Sequence, residues 1–432
     1  MRLLVISYHH PSTGEAGGLR WTGLARYLGS HGWDTWYLTA AAPSPAHAIP
    51  TVTVETCAAG RTVSDLYRRV RRAAPIPLPP HRADLPARGG RGLRILLRPL
   101  GTLRSEASGL LYMLSEGEGW TLRAARRARA LIAKIRPDAV VSSGPPHLAH
   151  IAAFLATRGH KRLKWFVDLR DPWAGPVAKA WQEQRAPGSR LADAITLSTE
   201  RLVFRSATGV FTTTKELKAA LTARYPHIAV SWVPNGADPA MLPPRSHQPF
   251  RGLGIVHVGT LYGARDPAPV LHALKRFFDR FPEARRDGTM FRHAGAVEPS
   301  HAMASRRVIE ELDIADHVAM QPPLPRPAAL ELLARSRLAV VLAQDQDYQV
   351  PSKLYESVVM GIPTLVIAGA NSASAREAQR VGAVVAGPEA VDRIALLLEQ
   401  IWKGSTPVFD SGRAGAPCDY QSLAPTVASL LS

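Results

Sequence analysis

The chain has 432 residues, 53 Lys and Arg against 35 Asp and Glu, and a formal charge of +18. That length allows two or three domains with substantial cores, and 46% apolar with 20% charged residues excludes wholesale disorder and fibrous repeats. No apolar run approaches the roughly 18 residues of a membrane-spanning helix, and Leu3–Ile6 is too short for the apolar core of a secretory leader, so a cytoplasmic location is expected. Cys57 and Cys418 match no metal-ligand spacing, which argues against a disulfide framework and a structural zinc site.

In chain order, short buried-strand runs alternate with helical stretches, the pattern of a parallel α/β sheet. The first series predicts strands at Leu3–Ser7, Asp34–Thr39, Ala139–Ser142, Trp165–Asp168, Gly209–Thr213 and Ala229–Val233, with a helix over 19–28 after a Gly-rich loop. It defines a doubly wound domain over residues 1–236. Within it, 61–104 holds eleven arginines against Asp65 and Asp84, with six prolines, and reads as a loop-rich basic insertion. Next comes an amphipathic helix with Arg123, Arg126, Arg127, Arg129, Lys134 and Arg136 on one side and Leu122, Leu131, Ile132 and Ile135 on the other. Residues 237–252 form a Pro-rich linker. A second series at Gly254–Val258, Met290–His293, Val318–Gln321, Leu338–Ala343, Pro363–Ile367 and Ala383–Val385 makes a second doubly wound domain over 253–404, and 405–432 supplies a connector and a final helix.

Ligands of open α/β sheets bind beyond the carboxyl ends of the strands, so the loops there carry the chemistry. Gly17 and Gly18 precede a helix and let backbone N–H groups approach an anion or a polyol, although neither a dinucleotide fingerprint nor a P-loop is spelled. Asp168, Arg170, Asp171 and Trp173 crowd just past one strand, where charges can orient a hydroxyl and its leaving group or satisfy one another. His147, after Ser143-Gly144-Pro145-Pro146, faces ligand or opens the next helix. In the second domain, Gly259, Thr260, Tyr262 and Arg265 follow a strand, and an arginine there suits a diphosphate. Ser352 and Lys353 then open a helix, and a lysine in a first turn opposes the helix dipole unless an anion is held there. Glu356 shares its face and suits vicinal hydroxyls, or simply pairs with Lys353. Asp345-Gln346-Asp347 reads as a solvated loop.

Six segments together resemble the family 4-like group of retaining glycosyltransferases of the GT-B fold: Gly17–Trp21, Ser143–Pro146, Asp168–Trp173, Pro234–Asp238, Gly259–Pro267 and Pro351–Glu356. The resemblance implies two Rossmann-like domains facing across a cleft, and a nucleotide-diphosphate sugar as co-substrate without cofactor or metal. It implies catalytic roles for Asp168, Arg170, Asp171, Arg265 and Lys353. Donor contacts fall to Gly17, Gly18, Gly259, Thr260, Tyr262, Arg265, Gly295, Ser352, Lys353, Leu354 and Glu356, and acceptor-side contacts to Arg20, His147 and Trp173. Tyr348 stands where many members carry the first glutamate of an E-x7-E pattern, and no histidine follows the strand ending at Asp168.

The acceptor implied is a glycan, a lipid-linked sugar or a small natural product. The cationic stretch 61–136 fits docking to an anionic membrane surface or a solvated loop. A nucleotide-sugar epimerase of the same fold is the alternative enzyme. Nucleic-acid binding is suggested by charge alone, since no helix-turn-helix, zinc finger or aromatic RNA-binding signature is present.

Overall fold

A computed structural model describes residues 1–9, 16–40, 49, 51–60, 118–175, 178, 189–404 and 416–432. The basic insertion 61–104 and most of the connector after 404 lie outside them. Two sheets carry the architecture, as the alternating pattern requires. The seven-stranded sheet has the order β3-β2-β1-β4-β5-β6-β7, from β1 (Arg2–Ser7), β2 (Asp34–Thr39), β3 (Val52–Thr56), β4 (Ala139–Gly144), β5 (Lys164–Leu169), β6 (Gly209–Thr212) and β7 (Val230–Trp232). The six-stranded sheet has the order β10-β9-β8-β11-β12-β13, from β8 (Gly254–Val258), β9 (Met290–Ala294), β10 (Val318–Gln321), β11 (Leu338–Leu342), β12 (Thr364–Ile367) and β13 (Val384–Ala386). All its pairings are parallel.

Among the described residues the main helices are α1 (Leu19–Leu28), α2 (Glu118–Ile135), α3 (Leu148–Thr157), α4 (Arg190–Ser206), α5 (Lys215–Arg224), α6 (Ala268–Arg280), α7 (Pro299–Glu311), α8 (Arg326–Ala334), α9 (Ser352–Val359), α10 (Ala373–Arg380), α11 (Val391–Trp402) and α12 (Tyr420–Leu431). By internal contacts the chain divides into one unit of Met1–Ser12, Asp34–Phe211 and His227–Ala229, and a second of Thr13–Trp33, Thr212–Pro226 and Val230–Ser432. Helix α1 therefore groups with the C-terminal portion, because it packs on α12. A side chain on Gly23 would strike Tyr420, whose Cδ2 lies 2.2 Å from the Cβ position.

In the first unit, Leu3–Ile6 and Ala139–Val141 are buried, and α2 covers them with Trp120, Ala124, Ala128, Leu131 and Ile132. The five cations of α2, and Arg136 just past its end, are all exposed. Leu122, expected on the apolar side, is 61% exposed, because two residues from both Trp120 and Ala124 put it on the opposite side of the helix. Strand β3 was not anticipated. Its Val-Thr-Val alternation is a strand signal, but the run is only partly buried and pairs with β2 alone. Arg127 on α2 pairs with Glu55 on β3 at 2.5 Å, and Gly60 N–H donates to Gly119 O at 3.0 Å.

In the second unit, Leu271, Leu274, Phe277 and Phe278 of α6 meet Ile394, Leu398 and Ile401 of α11 over Ile255 and Phe291. The opposite face is closed by Leu330 and Leu333 of α8 with Met360 and Ile362. Strands β8 and β11 are neighbours although the chain visits β9 and β10 between them, so the sheet's topological switch point lies at their carboxyl ends.

Candidate functional site

The switch point of the six-stranded sheet brings together the two loops that the sequence singles out. After β8, the run Gly259–Pro267 turns over the sheet edge into α6. Gly259 N–H donates to Ala294 O at 3.0 Å and Leu261 N–H to Ala296 O at 2.9 Å, lacing this loop to the one after β9. Gly295 must be glycine here, since Gly259 O lies only 1.8 Å from where its Cβ would stand. Thr260 is exposed, Tyr262 and Arg265 are half-buried, and the Arg265 guanidinium lies 4.7 Å from the Tyr262 ring centroid. After β11, Gln344 donates through Nε2 to Asp266 O at 2.8 Å, so the two loops are joined directly.

Helix α9 starts at Ser352 behind Pro351, which ends the preceding extended segment, and no side chain caps it. Leu354 N–H donates to Pro351 O at 3.1 Å, so of the first-turn amides those of Ser352 and Lys353 are the ones that could face an anion. Leu354 and Tyr355 pack inward, which fixes the roll of the helix. Lys353 Nζ donates to Glu356 Oε2 at 2.8 Å. Glu356 is only 2% exposed, and its other oxygen accepts from Arg326 Nη1, on the first residue of α8, at 2.6 Å. Burial alone would push the Glu356 carboxyl up, but Lys353 and Arg326 together hold it below the usual carboxylate range. The pair expected from spacing thus exists, but as two cations on one buried carboxylate. Arg326 escaped the sequence reading, although a cation at a helix start is the same signal that marks Lys353.

Two histidines beneath the β8 loop were also missed. His257 and His293 are register partners on β8 and β9, buried and stacked with centroids 5.4 Å apart. His257 Nδ1 donates to Val340 O at 2.9 Å, which leaves the lone pair on Nε2. Burial, with further repulsion from His293, Arg265 and Lys353, lowers His257 to about 3, so it is neutral.

Gly17 and Gly18 form a short helical turn leading into α1. Arg20 is 2% exposed and donates to Val233 O, Pro234 O and Asn235 Oδ1, while Arg26 and Tyr27 hold Asp238. The 234–238 segment is thereby fastened to α1. Asp345 and Asp347 are exposed, as a solvated loop requires, and Gln346 between them is buried. The carbonyl of Tyr348 accepts from Thr214 Oγ1 at 3.0 Å.

In the first unit, the carboxyl ends of β4 and β5 form one polar cluster. Asp168 is fully buried and accepts from Ser143 Oγ at 2.8 Å. Arg170 donates through Nε to Gly144 O at 3.2 Å and through Nη2 to Pro145 O, which moulds the Gly144–Pro146 turn. His147 stacks on Trp173 at 5.3 Å between centroids, with His150 tilted against both. Burial and then Arg170 lower His147 to about 3. Gly144 leaves room for the two imidazoles, since a Cβ there would lie 2.6 Å from His150 Nε2 and 2.9 Å from His147 Nδ1. Asp171 sits half-buried beside this cluster in sequence. Arg20, His147 and Trp173, expected on the acceptor side, are buried with protein partners.

Residues 101–241 match the family model described as Glycosyltransferase Family 4. Across the whole chain the fold is similar to sucrose-phosphate synthase from Thermosynechococcus elongatus, with a TM-score of 0.59, 13% identity, and coverage of 100% of this chain and 98% of that one. It is similar to HepE from Anabaena, solved with UDP and glucose, with a TM-score of 0.56, 13% identity, and 100% and 99% covered. It is also similar to a protein from Listeria monocytogenes assigned as a UDP-N-acetylglucosamine 2-epimerase, with a TM-score of 0.54, 14% identity, and 100% and 95% covered. No curated protein matches the chain in sequence. The expected two-sheet α/β architecture is thus the GT-B fold.

Proposed function

We propose that this GT-B glycosyltransferase moves a sugar from a nucleoside-diphosphate donor to a hydroxyl of a glycan, lipid-linked or small natural-product acceptor, with retention and without a metal. The observation that carries the reading is the cluster at the β8/β11 switch point. There Lys353 and Arg326 both pair with the buried Glu356 carboxylate of α9, and half-buried Arg265 and Lys353 both act on His257. Cations and helix amides stabilise a departing diphosphate as its charge develops, which is the task a metal performs in other sites. The departing phosphate takes the proton of the attacking hydroxyl, so no side-chain nucleophile is required. Acceptor recognition falls to the strand-end groups of the first unit, with half-buried Asp171 and the turn shaped by Arg170 as its more accessible part. UDP is the first base to test, because HepE was solved with it.

Calorimetric titration of UDP, dTDP and GDP into the protein and into Lys353→Ala tests the site. Micromolar binding of one nucleotide, weakened by about 1–3 kcal/mol in the variant, supports it. Equal binding by both proteins overturns it. The epimerase likeness keeps a second reading open, and product analysis with the UDP-sugar alone decides it, since an epimerase turns over without acceptor and a transferase does not.

The exposed cationic face of α2 supports a further part of the proposal, that the acceptor is met at an anionic lipid surface. Among the described residues no helix is long and apolar enough to cross a membrane. Co-sedimentation with phosphatidylglycerol vesicles, and none with phosphatidylcholine, is the expected result, and equal behaviour with both discards this part.

A further inference from the structure

We infer that Arg326 is a positioning residue which frees Lys353 for the donor by keeping Glu356 paired. The inference rests on the donor site proposed above. Its basis is a mismatch of charge: one carboxylate, 3% exposed in its side chain, is shared by two cations on two different helices. A single buried carboxylate needs one permanent partner, so one of the cations is surplus. The two are not equivalent. Lys353 is the more exposed, at 29% against 20% for Arg326, and it sits in the first turn of α9 on a flexible stem. Arg326 sits at the start of α8, whose Leu330 and Leu333 lock it into the core, and its guanidinium is a flat donor that holds a carboxylate in a fixed plane.

When an anionic diphosphate arrives at the α9 amides, Lys353 Nζ can swing from Glu356 Oε2 to a phosphate oxygen. Glu356 then remains ionised on Arg326 and keeps Oε2 as an acceptor for a donor hydroxyl. Without Arg326, the same movement would strand a buried carboxylate, so Lys353 would stay where it is. The ionisable groups acting on Glu356 are Lys353 on its own helix and Arg326 on α8, while Lys353 and Arg265 both bear on His257 of β8.

The test uses Arg326→Met and Arg326→Lys in the full chain, with UDP and uridine as probes. Arg326→Met should weaken UDP at least tenfold at pH 7.5, with uridine affected less. It should also make UDP affinity depend more on pH than in the wild type, because losing one of its two cations lets burial raise Glu356. Arg326→Lys should restore most of the affinity and flatten the profile. A readout without ligand follows the amine itself: acylation of Lys353, quantified by mass spectrometry, should slow several-fold in Arg326→Met. Unchanged UDP affinity and unchanged Lys353 acylation in Arg326→Met overturn the inference. If the wild-type protein binds no nucleotide, the donor reading fails, and the acylation rates still decide whether Arg326 governs Lys353. A thermal melt of each variant separates misfolding from loss of positioning, and Arg326→Lys preserves the charge if Arg326→Met unfolds.

Discussion

At Glu356 the energetics are set by what it would cost to leave either side alone. A buried carboxylate stripped of its cations would be neutralised, and buried cations stripped of the carboxylate would be desolvated without return. Glu356→Gln is therefore expected to lower stability by about 1–3 kcal/mol in urea unfolding, with a smaller loss for Lys353→Ala because that ammonium can reach water. Spacing made Lys353 and Glu356 legible, since three residues on a helix bring side chains together. The same rule said nothing of Arg326, which arrives thirty residues upstream through tertiary folding. His257 and His293 were invisible for a related reason: each is an ordinary strand residue until β8 and β9 are placed side by side.

Between elements, close backbone approach does what side chains do elsewhere. Gly295→Ala places a methyl into Gly259 O, so one loop must move, and we expect a loss of about 1–3 kcal/mol with weaker nucleotide binding by calorimetry. The α1–α12 contact is the other sensitive junction. Tyr420 is 3% exposed against Gly23, and Tyr420→Ala should cost about 3–5 kcal/mol in thermal unfolding. The twelve strands of the sequence reading are all present, most within a residue of their expected ends, and those that are fully buried are continuous apolar runs bounded by turns. β3 was lost because its short Val-Thr-Val alternation is only partly buried and sits beside a Pro-rich stretch, and Leu122 was misplaced because a helical period read from a few leucines set it on the wrong side of the helix.

For the whole molecule, buried neutral histidines set the acid limit. His147 and His257 are lowered by burial from 6.5 to about 3, and His150 lies well below 6.5 for the same reason. Above pH 6.5 neither the folded nor the unfolded form is charged at these rings. Below it the unfolded chain takes up protons that the folded one refuses, so stability falls as pH drops from about 6.5 toward 3. The slope is about 1.4 kcal/mol per pH unit for each histidine, and His257→Phe should flatten it in urea unfolding followed between pH 4 and 7.

The bond from Gly60 N–H to Gly119 O has a consequence for how the chain could have been assembled. It seals a seam: the unit's backbone is already continuous in space where the sequence departs at 60 and returns at 119. Gly60 and Gly119 are thus close enough for a short Gly-Ser bridge to take the place of 61–117, and a nearly unchanged melting temperature is the expected result for that shortened chain. A shortened chain that still binds nucleotide would separate donor binding from whatever surface the arginine-rich stretch addresses.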